Sequence, residues 1–107
     1  MAKVKWKQVA RTRFMQAIEY GAINFGTTAV NRMCNEVDAV AKRIANYPKA
    51  GTPEPLLKDL PVVLRSCHIR KRFKLIYYYD EATDTAFIAD FWDTRMSPEN
   101  IIERFTL

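Results

Sequence analysis

Apolar and polar positions follow two different periods in the first part of the chain. Over Lys3–Trp6 charged and apolar side chains alternate with a period of two, which predicts a short strand. Over residues 7–24 the apolar positions recur at helical spacing instead, which predicts a first helix. The positions that set this spacing are Phe14, Ile18, Gly21 and Phe25.

A second helix has the clearest pattern in the sequence. Gly26 ends the first helix, and the hydroxyl of Thr27 or Thr28 can cap the next one. The Asn-Tyr-Pro sequence at 46–48 then stops it. Because so few residues separate the two helices, they are predicted to form a helical hairpin. One unbroken apolar stripe runs along the second helix, through Val30, Met33, Cys34, Val37, Val40, Ala41 and Ile44.

The second half of the chain has the pattern of a sheet. Residues 48–61 hold four of the five prolines and Gly51, which predicts an ordered, extended connector that cannot be a central strand. Three strands are predicted after it, at 62–70, 72–80 and 85–92, and the tight turns between them predict an antiparallel meander. The order β-α-α-β-β-β predicts an α+β fold of two layers, with the helical hairpin packed on one face of an antiparallel sheet.

The last residues predict a short C-terminal helix. Ser97 is a good N-cap, Pro98 suits the first helical position, and Glu99 favours the positive end of the helix dipole. A narrow apolar stripe favours docking on the body of the domain over a free arm that binds a target. This stripe consists of Ile101, Ile102 and Phe105.

Composition narrows the class of protein. A chain of 107 residues is the size of one domain, spanning 1–107, and 49% hydrophobic residues indicate a globular core. No apolar run approaches the ~20 residues of a membrane span, and the start of the chain lacks an apolar signal-peptide core, so a cytoplasmic protein is expected. Cys34 and Cys67 have neither CxxC spacing nor histidines around them, which favours buried, reduced thiols over a disulfide or a metal site. No cofactor is predicted.

Positive charge is concentrated in two stretches without acids. The net charge is +5, the first eighteen residues hold five basic residues and no acid, and residues 60–79 hold no acid either. If the apolar side chains of the strands face the helices, the exposed face of the sheet carries His68, Arg70, Arg72, Lys74 and Tyr78. Such a face suits RNA or an acidic peptide, and a solvated basic hairpin without a function is the alternative.

The order of elements and four local sequences resemble the RelE/ParE superfamily, the toxins of type II toxin–antitoxin modules. The local sequences are IANYPKAGTPEP at the end of the second helix, LRS at the start of a strand, RFKLIYYYD in the next strand and WDTR after the last one. The resemblance extends over residues 4–98. It implies a growth inhibitor of the plasmid-stabilisation type, which a cognate antitoxin neutralises.

Carried over by position, the resemblance implies a functional surface at one edge of the sheet. Arg65 matches an arginine that opens a strand in the family, Lys74 stands where several members have an arginine, and Arg95 lies near the terminal catalytic position. These three residues are therefore expected to converge, with His68 and Tyr78 nearby. Arg65 also breaks the apolar alternation of its own strand, which is expected to place it at the margin of the sheet.

The resemblance implies one of two activities. RelE-like members cleave messenger RNA on the ribosome by attack of a ribose 2′-hydroxyl on the adjacent phosphate, which requires a base, an acid and cations. ParE-like members inhibit DNA gyrase by binding it. No histidine or tyrosine follows Trp92, and His68 lies away from the catalytic position of the family. Asp93 beside Arg95 favours an ion pair over a base. These departures favour gyrase binding; the alternatives are a RelE-like ribonuclease and an inert relative that binds only its antitoxin.

The placement of charge also predicts the character of the antitoxin. An acidic, amphipathic C-terminal region is expected to wrap the helical hairpin and to cross the basic face of the sheet. Because part of this attraction is screened charge, we expect the association rate measured by stopped-flow fluorescence to fall as salt is raised. A rate that did not change between low and high salt would contradict this placement.

Overall fold

The structure, a computed structural model, describes residues 1–105. It confirms the α+β class and the two central helices, α1 over Gln8–Phe25 and α2 over Thr27–Asn46. A C-terminal helix, α3, spans Pro98–Phe105. The strands are β1 (Lys3–Trp6), β2 (Thr52–Pro53), β3 (Arg65–Ile69), β4 (Phe73–Asp80) and β5 (Thr85–Asp93).

The strands form one mixed sheet in the order β1-β5-β4-β3-β2. From β2 to β5 the neighbours are antiparallel, but β1 runs parallel to β5, with Lys3 opposite Thr85 and Trp6 opposite Ile88. The prediction of a wholly antiparallel sheet is therefore wrong for this strand. Tight turns force only consecutive strands to run antiparallel, whereas the whole helical hairpin separates β1 from the rest of the sheet.

The proline-rich connector contains two short elements that the sequence pattern did not predict. β2 extends the sheet, with Thr52 opposite Ser66 of β3. Pro53 lies in this edge strand, where a missing N–H donor is tolerated. A 3₁₀ turn over Pro55–Leu57 follows and places Leu57 in a core. The connector is thus ordered, as expected, and contributes directly to the sheet.

The ends of two elements differ from the prediction. β3 begins at Arg65 instead of residue 62 and ends at Ile69, because Arg70 has a φ of 53° and turns the chain towards β4. Gly26, with a φ of 87°, is both the C-cap of α1 and the N-cap of α2, so neither threonine after it acts as the cap. Glycine adopts this positive φ at little cost, which allows the sharp reversal between the helices.

Both faces of the sheet are covered, although unequally. The helical hairpin packs on one face over the larger core, which includes Ile44, Ile69, Leu75, Tyr77 and Ile88. The 3₁₀ turn and α3 cover part of the other face, so the prediction that this face is open is wrong. Apolar side chains of β4 and β5 project there and must also leave water. This second core consists of Leu57, Leu64, Ile76, Trp92 and Ile101.

Gly51 packs directly against the buried ring of Tyr77. The tyrosine hydroxyl donates to the Pro48 carbonyl oxygen at 2.7 Å and accepts from the Gly51 N–H at 2.9 Å. A Cβ on Gly51 would lie 2.7 Å from atoms of this ring.

We expect Gly51→Ala to lower the free energy of unfolding by about 1–3 kcal/mol in urea denaturation, because the ring must shift and its hydrogen bonds weaken. The exposed neighbour serves as control: Thr52→Ala should change it by less than about 0.5 kcal/mol. Equal stability of the two variants would contradict the close approach.

Candidate functional site

The second half of β5 lies at an open edge of the sheet. β1 pairs with residues 85–88 of β5, so within residues 1–105 no strand lies beside residues 89–93 on that side. The register with β4 also shifts here, from Ile76 opposite Asp90 to Tyr77 opposite Ile88, which leaves Ala89 as an extra residue in β5. The open edge gives side chains of α1 and α3 access to the strand.

Asp90 is a buried carboxylate in this otherwise apolar strand, with 1% of its surface exposed. Its Oδ2 accepts hydrogen bonds from Arg13 Nη1 of α1 at 2.9 Å and from Arg104 Nη1 of α3 at 3.0 Å. The Arg104 guanidinium also lies 4.6 Å from the centre of the Trp92 ring. A buried carboxylate requires such charged partners. Asp90 therefore connects α1 and α3 to β5 through these two ion pairs. Helix α3 docks on the body of the domain, as predicted.

Asp93 forms an ion pair with Arg95 at the end of β5. Arg95 Nη2 lies 3.2 Å from Asp93 Oδ2, and the Arg95 N–H donates to Oδ1 at 2.9 Å. Arg72 Nε lies 3.9 Å from the same carboxylate. Burial raises the pKa of Asp93, but the hydrogen bonds from Arg95 and the charges of Arg95 and Arg72 outweigh it, so the pKa lies below its ordinary value. The hydrogen bond to Asp93 raises the pKa of Arg95. The ion pair that the sequence favoured is present.

Arg72 lies between the sheet and α1, beside aromatic rings. Its guanidinium carbon is 5.1 Å from the centroid of the Tyr20 ring, 5.3 Å from that of Phe73 and 5.8 Å from that of Phe25. Within residues 1–105 its buried Nε has no hydrogen-bond partner. The predicted position of Arg72 on the far face of the sheet is wrong, because Arg72 belongs to the turn before β4, where strand alternation does not apply.

These side chains surround one cleft, which we call the arginine groove. It lies between α1, the end of β5 and α3, and has a volume of about 430 Å³. Among residues 1–105, four guanidinium groups pair here with the two carboxylates of Asp90 and Asp93, so the described part of the groove carries an excess of positive charge. The charged residues that line it are Arg13, Arg72, Asp93, Arg95 and Arg104, and Tyr20 also lines it.

The structure does not bring Arg65, Lys74 and Arg95 together. Arg95 lies in the arginine groove. Arg65 stands opposite Tyr77 on the helix-facing side of the sheet, and its Nη1 donates to the carbonyl oxygens of Gly51 at 2.8 Å and Lys49 at 3.3 Å. Lys74 lies on the other face of the sheet. The expected convergence is therefore wrong, because alternation along β3 and β4 sends Arg65 and Lys74 to opposite faces of the sheet, and Arg95 lies in the turn after β5.

Lys74 belongs to a buried polar cluster that we call the Glu54 cluster. The Lys74 amine donates to both carboxylate oxygens of Glu54, at 3.0 and 3.1 Å, and the Ser66 hydroxyl donates to Glu54 Oε2 at 2.7 Å. The Glu54 side chain has 0% of its surface exposed and that of Lys74 has 19%. An internal partner thus neutralises the charge that the sequence analysis assigned to an exposed face.

The remaining residues of the predicted basic face have separate environments. His68 stands opposite Lys74 and is exposed. Arg70 pairs with Glu36 of α2, with Nε 3.3 Å from its carboxylate. Tyr78 stacks on Phe87, with ring centroids 5.2 Å apart, and belongs to the margin of the second core. His68 alone of these is both exposed and on the predicted face.

Sequence reasoning missed Arg13, Arg104, Asp90, Tyr20 and Glu54. One signal was available for Asp90, because an acid inside the apolar run TAFIADFW is rarely buried without a cation. The partners of this acid were not predictable, since they come from helices 77 and 14 residues away in the chain. Glu54 gave no local signal, because it lies between two prolines in a connector whose pairing with β3 was not predicted.

The lowered pKa of Asp93 predicts a loss of stability in acid. Its pKa is lower in the folded than in the unfolded chain, so the ion pair stabilises the fold above the unfolded pKa, and this contribution is lost as pH falls through the folded value. We expect wild type to melt at a higher temperature than Asp93→Asn at neutral pH, with the difference shrinking below roughly pH 4. Asp59→Asn, at an exposed position, serves as control. A difference independent of pH would contradict the assignment.

Two further features of the described residues are the grouping of metal-ligating side chains and the length of the helices. Among residues 1–105 no three His, Cys, Asp or Glu side chains cluster in a way that could hold a metal ion. Both cysteines are free, with Cys67 buried and Cys34 half-buried. None of the helices formed by these residues has the length and apolar character needed to cross a membrane.

Comparison with known proteins finds similarity in structure only. No protein-family model matches the sequence. No curated protein matches it either. A chain of the chromosomal ParDE TA system from P. aeruginosa superimposes with a TM-score of 0.69 at 13% identity, covering 87% of this chain and 96% of that one. The YoeB/ParE toxin from Agrobacterium tumefaciens gives 0.60 at 17%, covering 85% and 96%. The isolated E. coli RelE toxin gives 0.62 at 11%, covering 99% and 100%. The chain therefore has the fold of the RelE/ParE toxin superfamily.

Proposed function

We propose that this protein is the toxin of a type II toxin–antitoxin module and acts in the ParE-like manner, by binding DNA gyrase. It inhibits growth in the cytoplasm until a cognate antitoxin neutralises it. The shared fold supports the toxin class, since the similar structures include a ParDE system and a YoeB/ParE toxin. The choice of a binding mechanism comes from the arginine groove.

The observation that carries the choice is a positively charged groove in which the two carboxylates of the described residues are already paired with arginines. A general base works best with a pKa near the working pH. The pKa of Asp93 is lowered, and its oxygens already accept hydrogen bonds from Arg95. Asp90 is buried between Arg13 and Arg104. His68 is on the opposite face of the sheet from the hairpin. The groove is thus suited to hold an anionic partner.

Guanidinium groups fit such a role geometrically. Each presents a planar fork that can bind a carboxylate or phosphate through two hydrogen bonds. Arg95 and Arg72 are fixed relative to one another by Asp93, and the Thr94 hydroxyl donates to the Arg72 carbonyl oxygen at 2.8 Å. The groove therefore binds an acidic surface of its target with a defined arrangement of cations.

A RelE-like ribonuclease is the second candidate, supported by the Glu54 cluster. Here a carboxylate, an amine and the exposed imidazole of His68 lie on one face of the sheet, with His68 directly opposite Lys74. These groups are of the kind that acid–base cleavage of RNA requires. Burial of Glu54 opposes this use, because a substrate must reach a carboxylate whose side chain is 0% exposed.

Induced expression without antitoxin separates the candidates. The binding mechanism predicts growth arrest with DNA-damage signalling, and purified protein should inhibit supercoiling by gyrase and increase the fraction of cleaved DNA. Arrest with transcript loss, abolished by His68→Ala, would favour the ribonuclease instead. Normal growth at verified expression would favour an inert relative that binds only its antitoxin.

A further inference from the structure

A second cleft lies where the N-terminus of α1 meets the open edge of β5. It has a volume of about 420 Å³, which is within the size range of small-ligand sites. We call it the Asp90 cleft, because the buried carboxylate of Asp90 contributes to its lining. Val9, Tyr78 and Phe105 form much of its apolar wall.

The α1 side of the cleft is suited to an anion. Lys7, Gln8 and Val9 are the N-cap and the first two residues of α1, and all three line the cleft. Within residues 1–105 no side chain caps this helix end, and the first turn contains no acid. Because the first N–H groups of a helix lack partners inside it and the helix dipole is positive there, this end attracts a phosphate.

The amine of Lys7 adds a full positive charge at the same place. Among the described residues it forms no ion pair, and its nearest neighbours in the cleft are aromatic rings. Lys7 Nζ lies 5.9 Å from the centroids of both the Tyr78 and the Phe87 ring. These two rings stack with their centroids 5.2 Å apart, and Tyr78 lines the cleft together with Phe105. Aromatic surface beside a cation is suited to the stacking of a planar ring such as a nucleobase.

The Asp90 carboxylate has one oxygen without a partner. Its Oδ2 accepts hydrogen bonds from Arg13 and Arg104, but its Oδ1 is buried and accepts none from residues 1–105. A buried oxygen of this kind is costly unless a donor reaches it, so a ligand with a hydrogen-bond donor gains affinity here. The two guanidinium groups have further N–H donors. The cleft therefore offers one acceptor next to several donors.

We propose that the Asp90 cleft binds a nucleotide whose base is cytosine or adenine. The phosphate lies at the N-terminus of α1 beside Lys7, the base stacks on Tyr78, and the exocyclic amine of the base donates to Asp90 Oδ1. In both bases a ring nitrogen next to this amine accepts a hydrogen bond from an arginine. Uracil and thymine have a carbonyl oxygen in place of the amine, which the carboxylate repels. This inference goes beyond the proposed function and does not depend on it.

Titration of the purified protein with CMP and UMP tests the base recognition. Isothermal titration calorimetry measures the affinities, and amide shifts in NMR spectra locate the ligand. The two nucleotides differ at the group that faces Asp90, so CMP should bind at least about tenfold more tightly, the usual effect of one hydrogen bond to a charged group. Equal binding of CMP and UMP, or no binding of CMP at about 10 mM, would overturn the inference.

Paired variants at exposed positions test the location without disturbing the core. Val9→Trp places a large ring at the cleft and should weaken CMP binding at least about tenfold, whereas Met15→Trp, exposed on the same helix outside the cleft, should change it less than about twofold. Lys7→Ala should weaken binding and reduce its dependence on salt, and Lys3→Ala, exposed in β1, should do neither. Equal effects within either pair would contradict the site.

Two further ligands define what the cleft recognises. Inorganic phosphate that binds as tightly as CMP would show an anion site without base recognition and would overturn the inference. The octamer (dC)8 distinguishes two sources of the nucleotide: binding much tighter than that of CMP assigns the base to a single strand, and equal or weaker binding assigns it to the free nucleotide. Normal growth on expression would instead refute the proposed toxin function and leave the nucleotide result intact.

Discussion

Lys74→Ala is expected to lower the free energy of unfolding by roughly 3–5 kcal/mol, the usual cost of removing one partner of a buried ion pair. The variant leaves the Glu54 carboxylate, 0% exposed, without its cation. Only the Ser66 hydroxyl then donates to it among the contacts of this cluster. Urea denaturation followed by tryptophan fluorescence measures the loss.

Two comparisons isolate the Lys74–Glu54 pair. Lys71→Ala, an exposed lysine in the neighbouring turn, should change the free energy of unfolding by less than about 0.5 kcal/mol. The double variant Glu54→Gln with Lys74→Met removes both charges and should be more stable than Lys74→Ala. A loss below roughly 1 kcal/mol for Lys74→Ala would show that the pair is solvated and that Glu54 is not buried as described.

This result affects how toxicity data on Lys74 are interpreted. A destabilised variant loses activity through a lower folded fraction, whatever its target. The double variant provides the appropriate test, because it removes the amine while sparing the cost of an unpaired buried carboxylate. Retained growth inhibition by the double variant would assign Lys74 to stability, and loss of inhibition at normal stability would assign it to the functional surface.

Arg95→Ala is expected to abolish growth inhibition while the protein remains folded. Arg95 is exposed in the arginine groove, and Asp93 orients its guanidinium. The melting temperature should fall only slightly, because solvent screens an exposed ion pair. Growth after induction at matched expression is the first readout, and inhibition of purified gyrase is the second. Arg11→Ala, an exposed arginine of α1, should retain full potency.

A conservative variant distinguishes geometry from charge. Arg95→Lys keeps the positive charge but loses the planar fork, so it should remain well below wild-type potency if the groove binds carboxylate or phosphate through paired hydrogen bonds. Arg95→Ala with wild-type potency would rule out a functional role and leave only the ion pair with Asp93. Loss of folding, detected by circular dichroism, is excluded before either comparison is made.

Local pattern was sufficient for the fold class. Three signals depend only on residues close together in the chain: the apolar stripe of α2, Gly26 at the end of α1 and the alternation in β4. The bounds of these elements were therefore predicted to within a few positions. The pairing of β1 with β5 was not predictable in this way, because its partners are far apart in the chain and no tight turn sets their direction.

The candidate site depended on contacts that only the folded chain makes. Arg95 and its pairing with Asp93 could be predicted, because the two residues are nearly adjacent in sequence. The roles of Arg13 and Arg104 could not be predicted, because these residues come from two different helices and contact Asp90 only in the folded chain. For Lys74, strand alternation predicted the correct face of the sheet but not the surroundings of the amine. The connector folds back over that face, and its Glu54 pairs with the Lys74 amine, so this charge is not exposed. The amino-acid order determines which side chains each element presents, whereas long-range packing determines which charges remain available to a partner.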